Sequence, residues 1–364
     1  MIVSRYLTKE VLQTLLAVMV VVLLIFMGRY FAIYLADAAS GEIAGEIVLE
    51  ILLLRTLTAL NVILPFALFI AVMLAFGRLY KDSEMVAMAA CGIGPERVLG
   101  TVSVTALAAS VMVTVLSFWV SPWAYEQTLQ VREQAQAGTL FASVAAGQFN
   151  EIGADNLVFY VEELSEDRSQ LRDVFIQTTT EGRLDIYSAK SGYQFTDPES
   201  AERYLVLVDG YRYQGLPGDE DYTIHEYEKN ALRLKDRGVE ALHRKRSAIP
   251  SGDLWSSPGL TDRAELHWRF AMPLATLLLP LLAVMLSRTS PRQGRFAKLF
   301  IAIFLFVIYY NSLGVGMSWI ERGKAPVELG LWWIHGLLLL LIAVFAVRHW
   351  GGRWLWFRLM HRTA

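Results

Sequence analysis

Thiols are almost absent from this sequence: Cys91 is the one cysteine in 364 residues. A disulfide within the chain is therefore excluded, and the redox compartment is left open. Nucleotide chemistry lacks its usual mark too. No G-x-x-x-x-G-K-[ST] loop occurs, which argues against ATP binding by a P-loop. No H-E-x-x-H pair is present, and His225, His243, His267, His335, His349 and His361 are scattered without a metal-ligand spacing. No G-x-S-x-G elbow presents a nucleophilic serine. Basic excess is missing as well: the formal charge is −2, so nucleic acid is not an expected partner. No catalytic centre, metal or cofactor is expected.

Apolar residues are what the chain has in plenty. They make up 54% of it, with a mean hydropathy of +0.39, and they cluster in runs. A run of about 18 residues crosses a ~30 Å hydrocarbon layer as helix. Six spans are predicted, at about 9–36, 51–76, 98–121, 264–287, 298–320 and 329–348. The first follows Arg5 and Lys9, and Ala36-Asp37-Ala38 resembles a cleavage site. Its apolar run from Val11 to Met27 exceeds the usual ~7–15 residue signal core, so it reads as an uncleaved span.

Between the third and fourth spans the sequence changes character. "NLVFYVEEL" (156–164), "DVFIQTTT" (173–180) and "RYLVLVDGYRYQG" (203–215) alternate apolar and polar residues. Such alternation reads as strands, and many strands without clear helices read as a β-sandwich or jelly roll. Leu157, Phe159, Val161, Val174, Ile176, Tyr204, Val206 and Val208 fill its core or line an open apolar trough. The expected organisation is 1–122 with three spans, 123–262 as an all-β jellyroll domain, and 263–364 with three more spans and a tail.

Lys and Arg in short loops set orientation. Arg5 and Lys9, then Arg78, Lys81 and Arg97, then Arg288, Arg292, Arg295 and Lys298, then Arg348, Arg353, Arg358 and Arg362 all fall on one side of six alternating spans. That side is cytoplasmic by this rule. The loop 37–50 has Asp37, Glu42, Glu46 and Glu50 but no Lys or Arg, which agrees.

Four cations break the rule. Arg29, Arg55, Arg322 and Lys324 lie at the outer ends of spans or in an outer loop. Each alone reads equally well as a side chain snorkelling to the headgroups. Together they form a candidate substrate-binding collar for an anionic, amphiphilic molecule, because Arg and Lys pair with phosphates. Pro65, Pro273 and Pro280 interrupt spans, either as ordinary irregularities or as bends that open a lateral path.

"GRLYKDSEMVAMAACG" (77–92) is the remaining feature. Leu79, Met85, Val86, Met88 and Ala89 are apolar, Arg78, Lys81, Asp82 and Glu84 are charged, and Gly92 and Pro95 mark an end. A helix at 79–91 is expected, either resting on headgroups or docked in a soluble motor protein. Arg78, Tyr80, Asp82, Glu84 and Met85 are the candidate coupling residues.

The same stretch resembles the cytoplasmic coupling segment of the LptF/LptG family of lipopolysaccharide-export permeases. "MIVSRYLTKEVL" (1–12), "ILPFALFIAVMLAFGRLY" (63–80), "AELHWRFAMPL" (264–274) and "SPRQGR" (290–295) resemble that family too, and the first and last are nearer its F-type member. The resemblance spans the whole chain. It implies an F/G heterodimer in the bacterial inner membrane, two copies of the ATPase LptB below, a periplasmic β-jellyroll, and transfer of lipopolysaccharide to LptC and a periplasmic bridge. It places Glu84 against the ATPase and Arg29 against lipid A phosphates or inner-core sugars. Arg322 and Lys324 match more loosely, and Arg55 has no family role. A second basic position of some relatives is not evident, since Ala32 and Ile33 occupy that region. The rival expectation is a mechanotransmission permease for lipoprotein release or efflux, which has four spans in place of six.

Overall fold

The computed structural model describes residues 2–39, 43, 45–137, 147–152, 157–165, 170–180, 183–196, 203–215, 223–233, 246–288 and 298–350. The chain forms two compact units: Met1–Arg29 with Leu53–Glu126 and Arg246–Ala364, and Tyr30–Leu52 with Gln127–Lys245. These divisions fall after Glu126 and before Arg246, where composition alone suggested 122 and 262.

The helices follow the apolar runs and overrun them. α1 is Ile2–Ala39, and α2 is Val48–Lys81, entered through a 3-10 turn at Gly45–Ile47. α3 is Glu84–Ala90 and α4 is Pro95–Val115, with Pro95 at the first turn, where its missing N–H costs nothing. A π turn at Leu116–Val120 joins α4 to α5, Ser121–Ala137. α6 is Ser251–Ser256, α7 Leu260–Ser287, α8 Leu299–Glu321 and α9 Trp332–Trp350. Among the described residues, five stretches are long and apolar enough to cross a membrane: α1, Gly45–Lys81, Pro95–Arg132, α7 and α8. The sixth expected span is the shorter apolar helix Trp332–Arg348.

Two expectations need correction. The region after 123 was read as free of helix, yet α5 continues the third rod by seventeen residues. Its sequence, "SPWAYEQTLQVREQAQA", is rich in Gln, Ala and Glu, which lose little on entering a helix. The helix expected at 79–91 is also two pieces. Ser83 adopts the left-handed conformation, φ 60°, and ends the run of helical hydrogen bonds that carries α2 to Lys81.

In the helical unit α7 is the centre. It touches α4, α6, α8 and α9 and is buried along most of its length, including Ala271, Met272, Ala275, Leu279, Leu282 and Ala283. Phe69, Phe76, Leu79 and Leu68 of α2 complete the same core. The prolines leave carbonyls open, because Pro has no N–H to give to the residue four back. Pro273 frees the Arg269 carbonyl in this way, and Ser117 of the π turn donates to it at 3.0 Å.

In the β unit, β1 Phe149–Ile152, β2 Leu157–Leu164, β3 Gln170–Thr180, β4 Arg183–Thr196, β5 Arg203–Gly215 and β6 Thr223–Arg233 make one antiparallel sheet. Spatial order equals chain order. A β-domain is as expected; the described strands run as an up-and-down meander, without the crossovers of a jelly roll.

One line crosses the sheet where pairing is interrupted, through Glu162, Asp173, Lys190, Asp209 and Glu228. Asp173 and Asp209 there have positive φ, 48° and 53°. The inward face steps by one residue across this line. β3 buries Leu171 on one side and Val174 and Ile176 on the other. β5 puts Leu205 and Leu207, not the expected Tyr204, Val206 and Val208, in the core and then buries Gly210; of those three, Val206 is buried outside that core. Because every strand it crosses contributes one residue to the line, the register survives and one apolar face continues across it. Phe159, Val161, Leu171, Val174, Ile176, Tyr187 and Leu207 form that face.

Candidate functional site

The candidate coupling segment, 77–92, is built from three short devices. Ser83 breaks the chain from α2, with Asp82 N–H donating to the Arg78 carbonyl and Ser83 N–H to that of Tyr80. Met85 and Met88, three residues apart, pack half-buried on the helical core and hold α3 down. Gly92, φ 80°, closes the helix: its N–H donates to the Ala89 carbonyl, and Ile93 N–H to that of Met88. That crossed pair is the Schellman end that only a left-handed residue permits. Val86, Ala87, Ala89 and Ala90 are left on the exposed face. They make a small-residue ridge suited to close approach by another surface.

Two charged residues of the segment, Glu84 and Arg78, are engaged from α1. Tyr6 donates its hydroxyl to Glu84 Oε2 at 2.6 Å. Arg78 Nη2 lies 2.7 Å from Glu10 Oε2. Tyr80 and Met85 line a small cleft with Pro95, Val284 and Arg288, so the segment also meets the last turn of α7. Lys81 and Asp82 are exposed. Five of the predicted coupling residues, Arg78, Tyr80, Asp82, Glu84 and Met85, thus share one end of the helical unit. The "SPRQGR" loop at 290–295 lies outside the described residues.

The four candidate substrate-binding cations divide into two kinds. Arg29 is on an exposed face of α1, and Arg322 and Lys324 are exposed in the turn after α8, on either side of Gly323 with φ 66°. Arg55 is half-buried and tied to α5. Its Nη1 donates to the Tyr125 hydroxyl at 3.4 Å, and its guanidinium carbon stands 5.9 Å from that ring. Arg55 is therefore partly committed to holding α2 against α5.

Sequence reasoning missed a buried post in the same unit. Arg269 of α7 is 2% exposed. It donates to Glu265 Oε1 at 3.2 Å, to Ser251 Oγ at 2.7 Å, and to the carbonyls of Ser247 and Ile249. Ser251 in turn donates to the Phe118 carbonyl in the π turn. Arg269 so fastens the segment 246–251 and the π turn to α7. A buried guanidinium needs such a full set of acceptors. The signal available in sequence was an E-x-x-x-R pair within "AELHWRF", one helical turn apart.

The sequence that builds these helices and this sheet is similar to those of known proteins. Residues 5–348 match the family described as "Lipopolysaccharide export system permease LptF/LptG". The chain belongs to the LptF/LptG family. Among curated relatives, the "Lipopolysaccharide export system permease protein LptF" of Escherichia coli (strain K12) is 28% identical over 288 residues, which cover 78% of this chain and 77% of that protein. The protein of the same description from Shigella flexneri matches with the same figures. LptF/LptG members are permeases, membrane subunits of a transport system. The helix counts and the β-domain agree with a multi-pass membrane protein of this kind.

Proposed function

We propose that this chain is one permease half of an ATP-driven exporter in the bacterial inner membrane. It extracts lipopolysaccharide from the outer leaflet and passes it toward a periplasmic bridge. Its companions are a G-type permease, a dimer of the LptB ATPase and LptC. The β-domain is periplasmic, and α3 with the chain's basic loops is cytoplasmic. Membership of the LptF/LptG family over residues 5–348 is the observation that carries this reading. The Lys and Arg asymmetry of the short loops supports the orientation.

In this mechanism α3 receives the closing motion of the ATPase dimer through its exposed ridge, with Arg78, Tyr80, Asp82, Glu84 and Met85 at the contact. The helices move, and the glycolipid held by Arg29, Arg55, Arg322 and Lys324 is displaced outward. Phosphates on the substrate give these cations charge-assisted hydrogen bonds. Membrane lipid forms the rest of the surroundings.

The test is reconstitution of the chain with a G-type permease, LptC and an LptB dimer, followed by ATP-dependent release of lipopolysaccharide to an acceptor. Glu84→Ala is expected to lower ATPase association or transport by about fivefold or more, the range of an ordinary coupling energy. Hydrolysis of ATP by the purified chain alone, or release without any ATPase, would overturn the reading.

A further inference from the structure

The coupling segment is expected to pass force to the helices that flank it in sequence, α2 and α4. The contacts point to a third recipient. Tyr6 and Glu10 are one helical turn apart on α1, and both reach the segment: Tyr6 to Glu84 and Glu10 to Arg78. Beside them on α1, Leu7 and Val11 are also one turn apart and are buried in the same core as Phe76 and Leu79 of α2. A polar stripe and an apolar stripe therefore grip the same surface.

Within residues 2–29, Leu7 and Val11 are the buried ones; Leu15, Val18 and Met19 lie partly buried on the same core, and Leu16, Val20, Leu24 and Ile25 are exposed. The base is thus where the packing of this stretch is tightest. The peptide link between α2 and α3 is meanwhile weak, because Ser83 interrupts the helical ladder. A side-chain joint at this place carries what the backbone does not.

We propose that Tyr6, Glu10 and Arg78 form a joint that transmits movement of α3 into α1, with Tyr6 the positioning residue for the Glu84 carboxylate. The proposal rests on the permease reading above. A carboxylate has two oxygens, and an O–H···O⁻ bond of 2.6 Å is short and charge-assisted. Tyr6 occupies Oε2 and fixes the plane, which presents Oε1 in one orientation to a cationic or N–H donor of the ATPase. The Arg78–Glu10 pair is partly exposed, and solvent screens pairs of that kind so that they add little to stability. Its contribution is geometric. It ties the last turn of α2 to the second turn of α1, so that α1, α2 and α3 move as one body. Arg29 lies farther along α1, so a tilt set at the base shifts a cation of the proposed substrate site.

The experiment uses the full permease complex in lipid nanodiscs, with Tyr6→Phe, Glu10→Arg, Arg78→Glu and the Glu10→Arg/Arg78→Glu exchange. Two quantities are read. One is lipopolysaccharide released per ATP hydrolysed. The other is the distance distribution between spin labels on Cys91, which is exposed, and on Arg5→Cys. The joint predicts that Tyr6→Phe and Glu10→Arg each lower the release ratio by about fivefold or more and broaden the distance distribution. The exchange is expected to restore both toward the parent. An unchanged distribution in Tyr6→Phe and Glu10→Arg would overturn the joint whether or not an ATPase binds. An unchanged release ratio in both would overturn its role in transmission. Failure of the parent chain to hold an ATPase at all would instead strike the permease reading, and the label distances would still judge the joint.

Discussion

The hydroxyl of Ser117 donates at 3.0 Å to the carbonyl of Arg269. That carbonyl is open because Pro273, four residues on, has no N–H to offer it. Ser117 is 1% exposed, so no water takes its place at the surface of the bundle. The same hydroxyl accepts from Asn61 Nδ2 at 3.4 Å, which brings α2 into the arrangement. A proline in a buried helix is tolerated here because a neighbouring turn repairs it.

Ser117→Ala is therefore expected to destabilise the helical unit by about 1–3 kcal/mol, the cost of leaving a buried acceptor unmade. Pro273→Ala supplies the missing backbone donor, and Ser117 then has little to repair. In that background Ser117→Ala should cost clearly less, giving a coupling energy of about 0.5–3 kcal/mol in a double-mutant cycle. Thermal unfolding of the four proteins in detergent measures it. Additive effects would show that Ser117 and Pro273 act independently.

The sheet responds to alkali through Tyr227. Burial, and next the neighbouring Tyr187, push its phenol up to about 12. An unfolded tyrosine ionises near ~10. The folded state therefore holds the proton more tightly, and the stabilisation is complete below the unfolded value. It is lost as pH rises from about 10 toward 12. Tyr227→Phe is expected to flatten the fall in sheet stability across that window and to remove a late-titrating phenolate from the ultraviolet titration of the full chain. A pH profile identical to the parent's would refute this assignment.

The long apolar runs were legible because crossing a hydrocarbon layer demands length and little else. Alternation likewise revealed β2, β3 and β5 as strands, but in β5 it turned Tyr204, Val206 and Val208 inward where Leu205 and Leu207 form the core. The line through Glu162, Asp173, Lys190, Asp209 and Glu228 was not read, although the step from Leu171 to Val174 carries its mark. A period-two template treats that step as a fault in a single strand, when it is a feature shared by neighbours. The coupling segment was located by its charges and glycines, but its break was not. Ser83 is left-handed without being Gly, and only the packing of Met85 and Met88 shows why the chain turns there. The pairing of Tyr6 with Glu84 joins residues 78 apart in sequence, and no local pattern reports a contact at that distance. Arg269 was hidden for a related reason: an Arg–Glu pair in sequence looks the same on a wet face as in a core.

Adjacent residues on β5 should respond very unequally to small changes. Gly210 has no room for a side chain: a Cβ there would lie against the Ser188 carbonyl oxygen and 2.7 Å from the Tyr227 hydroxyl. The Ser188 carbonyl belongs to the paired strand β4 and also accepts from Tyr227, so it cannot retreat without breaking that bond. Gly210→Ala is expected to destabilise the sheet by about 3 kcal/mol, within the range of severe overpacking and backbone displacement. Asp209 stands beside it with φ 53°, a conformation that costs a non-glycine residue about 1 kcal/mol or more. Asp209→Gly removes that strain but frees the unfolded chain, and the two effects offset. It should remain within about 1 kcal/mol of the parent. Chemical unfolding of the full chain, followed by sheet circular dichroism, separates the two. Equal loss at both positions would mean that the interrupted line tolerates no substitution. A stable Gly210→Ala protein would mean that β4 and β5 do not approach as closely as the paired strands require.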